Sequence, residues 1–131
     1  MTSKTLMSPD SIDALTPCLK TAFERKAEDI KALYVAKLTS YTDAIVIITA
    51  GSERQVSAIA EHIHTAMKQQ GKIPLGTEGL QTGKWALLDF GDFIVHVFDK
   101  ETRDFYDIAG LWSDAPKIDL SAFETRKPKQ S

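Results

Sequence analysis

The apolar residues of this chain fall into runs whose period changes along its length. Ala44 to Thr49 (AIVIIT) is an unbroken, mostly β-branched run, the mark of a strand covered on both faces. The segment after it switches to helical spacing. In GSERQ, Gly51 provides a tight turn, Ser52 an N-cap, and Gln55, three residues on, the return half of a capping box. Val56, Ile59, Ala60, Ile63 and Met67 then mark one helix face, and Gly71 ends the helix as a left-handed cap. A buried strand feeding such a helix is half of a βαβ unit, which predicts a sheet that is at least partly parallel.

The rest of the pattern is read the same way. PLGTEGLQTG, residues 74–83, reads as a loop. Lys84 to Asp89 and Asp92 to Phe98 then form two strands joined at Phe90-Gly91, where a glycine suits a hairpin bend. Phe93, Val95 and Val97 share one face of the second strand; Ile94, His96 and Phe98 share the other. Trp85, Leu87 and Asp89 alternate along one face of the first. Upstream, Ile30 to Ala36 predicts a strand and TSYTD, residues 39–43, a turn. Ser8-Pro9 and Thr16-Pro17 each set a capping hydroxyl before a proline, predicting two helix starts, the second helix running to Lys26 on a stripe of Leu19, Ala22 and Phe23. Downstream, Asp99 caps a final helix carrying Phe105, Tyr106 and Ile108 and ending near Gly110. The expected organisation is an N-terminal helical segment (1–25), one folded domain (26–112) and, from Ser113, a flexible polar tail (113–131).

Composition narrows the class. A chain of 131 residues with 43% hydrophobic and 26% charged residues is an ordinary globular domain. No apolar run approaches the ~18 residues of a membrane span, and MTSKTLMSPDS lacks the apolar core of a signal peptide, so a cytoplasmic protein is expected. A single cysteine, Cys18, rules out an internal disulfide and, between Leu15 and Leu19, reads as a small buried hydrophobe. Net charge is −2, yet Glu78 to Asp107 holds seven acids against three bases. That stretch disfavours non-specific nucleic-acid binding and suits a cationic partner, although a solvated acidic face gives the same count.

Candidate chemistry is sparse. Asp89-Phe90-Gly91 spells a kinase metal-binding motif, but no glycine-rich loop, strand lysine or catalytic loop accompanies it. Gly51-Ser52 between a buried strand and a helix resembles the phosphate-holding turn of nucleotidyltransferases. Those enzymes need paired carboxylates for metal ions, and the one close pair, Asp89 and Asp92, flanks a turn. A nucleotidyltransferase-like enzyme or nucleotide-binding module using Gly51-Ser52 is therefore the alternative reading. His62 and His64, two apart on a helix, point in different directions, and His96 reads as a strand histidine bonded to a neighbour. No metal site, cofactor or catalytic set is expected. Trp85 and Phe90 pose a surface question: either they await a partner, or Trp85 lies under the final helix and Phe90 folds back on the core.

Taken in order, TDAIVIITAGSERQVSAIAEHI, then Glu78-Gly79, Trp85, Asp89, Gly91-Asp92, Val95-His96-Val97-Phe98, Arg103, Tyr106 and Leu111-Trp112 resemble the ribosomal silencing factor family, also called Iojap, over roughly Lys26 to Trp112. Tyr34, Ala44 and Ala109-Gly110 depart from the family pattern. The resemblance implies an α/β single domain, a mixed β-sheet flanked by helices with nucleotidyltransferase-like topology but without the catalytic carboxylates. It implies a non-enzymatic translational repressor that binds ribosomal protein number fourteen of the large subunit and blocks subunit joining under nutrient limitation. The face expected to meet that partner comprises Glu78, Lys84, Trp85, Leu87, Asp89, Phe90 and Tyr106. Contact with adjacent rRNA and a homodimer through the hairpin face are compatible with it.

Overall fold

The computed structural model describes residues 9–80 and 84–124. Five strands form one sheet: β1 (Asp29–Tyr34), β2 (Ala44–Ala50), β3 (Gly76–Glu78), β4 (Trp85–Asp89) and β5 (Phe93–Asp99), in the order β1-β2-β5-β4-β3. β2 and β5 run parallel, and every other neighbouring pair is antiparallel. The sheet is therefore mixed, as the βαβ pattern predicts.

The two sheet faces are covered differently. Ala32, Val46, Ile48, Ala86, Leu88, Phe93, Val95 and Val97 lie under α1 (Pro9–Glu24) and α2 (Glu53–Gln69), which contribute Leu15, Leu19, Ala22, Val56, Ile59, Ile63 and Met67. On the other face a smaller cluster of Leu33, Val35, Ile45, Ile47 and Phe98 is closed by Ala115 and edged by Trp85, Ile108 and Trp112. All seven residues of β2 are buried, which is why its sequence lacks alternation. Cys18 is fully buried, and desolvation pushes its thiol up to about 12, so it serves as a core hydrophobe.

Four elements differ from the sequence reading. First, the two expected helix starts merge into one helix, with Pro17 inside α1. An interior proline costs ~3 kcal/mol. Burying Leu15 and Leu19 on one stripe, each worth roughly 1.5–3 kcal/mol, offsets it. Second, the expected loop at 74–83 contains β3, which extends the β4 edge: Leu75 N–H donates to the Asp89 carbonyl at 2.7 Å. Third, the final helix breaks. α3 (Lys100–Tyr106) stops at Asp107, whose φ of 48° is left-handed, and α4 (Ile108–Leu111) starts anew with the Asp107 carboxylate accepting from Gly110 N–H at 3.1 Å. Asp caps a new helix more strongly than it continues an old one.

Fourth, the chain from Ser113 packs onto the domain instead of trailing away. Tyr34 N–H donates to the Pro116 carbonyl and Ile118 N–H to the Ala32 carbonyl, both at 2.8 Å, and Ala115, Ile118 and Leu120 are buried. α5 (Ser121–Glu124) then stacks Phe123 on Phe23, ring centroids 5.9 Å apart. β1 is an edge strand, and this segment covers part of its open hydrogen-bonding side. Both α1 and the 113–120 segment thus join the core of the central domain; residues 125–131 lie outside the described part.

Candidate partner-binding face

Strand register assembles the face. Glu78 sits opposite Leu87, and Leu87 opposite His96; Trp85 lies beside Phe98, and Asp89 beside Ile94. These residues point away from α1 and α2, because their alternates Ala86, Leu88, Val95 and Val97 fill the helix-side core. α2 packs on β2, β4 and β5, whereas α3 on the opposite face reaches β5 and β2. Among the described residues, α3 makes no comparable packing on β4. Glu78 is exposed there, Trp85, Leu87 and Asp89 are half-buried, and Ile94 and His96 form a floor only 5% and 9% exposed.

Trp85 is held at the boundary between the covered and open halves. Its ring lies 4.9 Å from Phe98 and 5.9 Å from His96, centroid to centroid, and its Nε1–H donates to His96 Nδ1 at 3.1 Å. Burial pushes the imidazole down to about 4, so it is neutral at pH 7. A neutral ring accepting at Nδ1 carries its proton on Nε2. Gly79 supports the same strand from the neighbouring turn. Its φ is +70°, and a Cβ there would run into the Trp85 carbonyl oxygen. The Glu78-Gly79 pair and Trp85, six residues further on, are thus one packed unit.

Other predicted site residues are placed differently. Asp89 does two jobs: it lies on the open face, and its Oδ1 accepts from Gly91 N–H at 2.8 Å inside the hairpin turn. Gly91 has φ +87°, and its carbonyl accepts from Thr42 Oγ1–H at 2.9 Å. Phe90 folds back, its ring stacked 5.0 Å from Phe93 and packed against the helix-side core. It therefore sits away from the Trp85 row. Lys84 is paired with Glu53 on α2 at 3.0 Å, a hydrogen bond and charge that raise its pKa, so it too turns toward the helix side. Tyr106 ends α3, and its side chain lies outside the described residues.

The floor residues Ile94 and His96 were seen in sequence as sharing a strand face, but nothing there joined them to Leu87. The exposed Ile73 (60%) and Leu75 (79%) were missed altogether. Leu75 would touch any side chain at Gly91, which puts it beside the hairpin turn. The signal available was the apolar pair around Pro74, which a loop reading passes over.

The Gly51-Ser52 turn is used in capping α2. Gly51 N–H donates to Gln55 Oε1 at 2.5 Å, Gln55 N–H to Ser52 Oγ at 3.1 Å, and the Glu28 carboxylate stands beside Gly51. Ser52 Oγ caps α2 as an acceptor, Gly51 N–H is taken by the Gln55 side chain, and the neighbouring negative charge opposes a phosphate. The Gln55 return bond reaches Gly51, one residue before the Ser52 cap where the capping-box pattern places it. Asp89 and Asp92 lie at the other end of the sheet, since Ala44 aligns with Phe93 and Ala50 with Asp99, ends separated by roughly 20 Å. Turn and carboxylates do not meet. Among the described residues no three His, Cys, Asp or Glu side chains converge, and no helix is long and apolar enough to cross a membrane.

The fold is thus that of a small α/β protein built on a mixed five-stranded sheet, a strand-to-helix turn used for capping, and an open sheet face rich in rings and carboxylates. Comparison with known proteins supplies the family. The profile of "Ribosomal silencing factor during starvation" matches residues 8–131, and the chain belongs to that family, a family of regulatory proteins. The ribosomal silencing factor RsfS of Halalkalibacterium halodurans is 37% identical over 97 residues, covering 74% of this chain and 83% of that one. A crystal structure of a Chromobacterium violaceum protein superposes with a TM-score of 0.75 at 35% identity, covering 78% of this chain and 85% of that one. The mouse protein named mitochondrial assembly of ribosomal large subunit protein 1 is 29% identical over 105 residues, covering 78% of this chain and 45% of that one.

Proposed function

We propose that this protein represses translation in the cytoplasm by binding ribosomal protein number fourteen of the large subunit and sterically blocking the small subunit from joining. The observation that carries the reading is the open row on β3 and β4, where register sets Glu78 beside Leu87 and flanks them with Trp85 and Asp89. An indole and a leucine supply apolar area for a hot spot, and two carboxylates beside them suit the arginine and lysine side chains of a protein embedded in rRNA. The name of the mouse relative, which speaks of large-subunit assembly, supports the choice of subunit.

Exclusion requires no chemistry. Occupancy of a shared surface is set by concentration and relative affinity, and either binder displaces the other by mass action. Phe90 and Lys84 are secondary in this reading, because one braces the hairpin from the core side and the other pairs with Glu53. A nucleotide-binding role is disfavoured by the engaged turn and its distance from Asp89 and Asp92. Co-sedimentation of purified protein with large subunits tests the placement. Trp85→Ala is expected to weaken binding about thirtyfold, the equivalent of the ~2 kcal/mol hot-spot threshold. A folded Trp85→Ala variant that travels with large subunits as the wild type does would move the interface elsewhere.

A further inference from the structure

We infer that His96 is the positioning residue of the docking face: by accepting the indole N–H of Trp85, it fixes the ring so that only its apolar face and edge are offered to the partner. The inference rests on the proposed docking reading and adds a residue to it. Trp85 Nε1–H donates to His96 Nδ1 at 3.1 Å, and the two rings share a cluster with Phe98, whose ring lies 5.8 Å from His96 and nearly parallel to it. His96 is floored by the sheet itself, with Leu87 across β4 and Ile47 across β2. Its ring is buried and locked, while that of Trp85 is half-buried, so the histidine is the fixed member of the pair.

Two consequences follow for recognition. An indole whose N–H is already satisfied loses no hydrogen bond to water when a partner covers it, so the partner need not bring an acceptor to that spot. Leu87, Asp89 and Glu78 lie on the same side of the sheet as the indole. A guanidinium or ammonium group brought to this row gains from the two carboxylates. Fixing the ring before contact also removes the entropy cost of ordering it on binding.

The test is a double-mutant cycle on full-length protein, read by affinity for purified large subunits and by the indole proton resonances. Trp85→Phe identifies which of the two indole signals belongs to Trp85 and removes the donor. His96→Phe keeps a ring but removes the acceptor; His96→Leu does the same with less bulk if phenylalanine overfills the site. In the wild-type background either His96 variant is expected to shift the Trp85 indole resonance and weaken binding about fivefold. In the Trp85→Phe background the same change is expected to do nothing further. A His96 variant that binds normally, or one that weakens binding equally in both backgrounds, overturns the inference. Normal binding by the His96 variants alongside weak binding by Trp85→Ala would leave the docking face standing and remove only the role of His96. Normal binding by Trp85→Ala would remove the face as well.

Discussion

Asp89 shows how one side chain serves structure and surface together. Its Oδ1 closes the hairpin turn on Gly91 N–H, and the residue lies on the open face beside Ile94. The two roles separate by substitution. Asp89→Asn keeps an oxygen for the turn and removes the charge, so the unfolding midpoint is expected to hold while large-subunit binding weakens and becomes less salt-dependent. Asp89→Ala loses the turn bond too, at about 1 kcal/mol of stability measured by urea denaturation. Equal stability loss in both variants would contradict the assignment. Gly79 belongs at the same scale. Its positive φ and the Trp85 carbonyl in the path of a Cβ mean that Gly79→Ala strains the backbone and displaces Trp85. Neither fact is legible in the letters Glu78-Gly79, because the contact is made by a strand that begins several residues later.

Among the elements, α2 was the most legible, since its cap, apolar stripe and terminating glycine are local and mutually consistent. Ser52→Ala is expected to cost about 1 kcal/mol of stability, and adding ATP, CTP and magnesium to leave the melting temperature of the wild type unchanged. A nucleotide-dependent stabilisation abolished by Ser52→Ala would revive phosphate binding at that turn. β2 was equally plain from its unbroken apolar run. β3 was invisible because Gly-Thr-Glu has no alternation to detect; only pairing with β4 makes it a strand. The break at Asp107 was hidden by apolar residues on both sides of it. The packing of 113–124 was hidden by scattered polar letters, since Ala115, Ile118 and Leu120 are buried by an edge strand whose need for cover is a property of the sheet. Of the expected face, the alternation of Trp85, Leu87 and Asp89 was readable, and the tip placement of Phe90 was not, because a turn residue's direction depends on the twist of the hairpin.

At the scale of the whole molecule, one sheet carries two unequal coverings, and function is proposed for the place where the thinner covering stops. α1, α2 and the 113–124 segment stabilise the sheet, and the docking row is proposed on the half of the other face that β4 carries. His96 links that face to global stability. The unfolded chain protonates this histidine near pH 6.5, the folded one near 4, so its contribution is complete above 6.5 and is lost as pH falls toward 4, on the order of 3 kcal/mol at most. Urea midpoints measured across that window are expected to fall with pH, and less steeply in His96→Phe. The decisive measurement is sedimentation of purified small and large subunits mixed with increasing amounts of this protein. Steric exclusion predicts that the protein migrates with the large subunit, cross-links to ribosomal protein number fourteen, and depletes the joined peak in proportion to its occupancy. A joined peak that persists at saturating occupancy of the large subunit would contradict it.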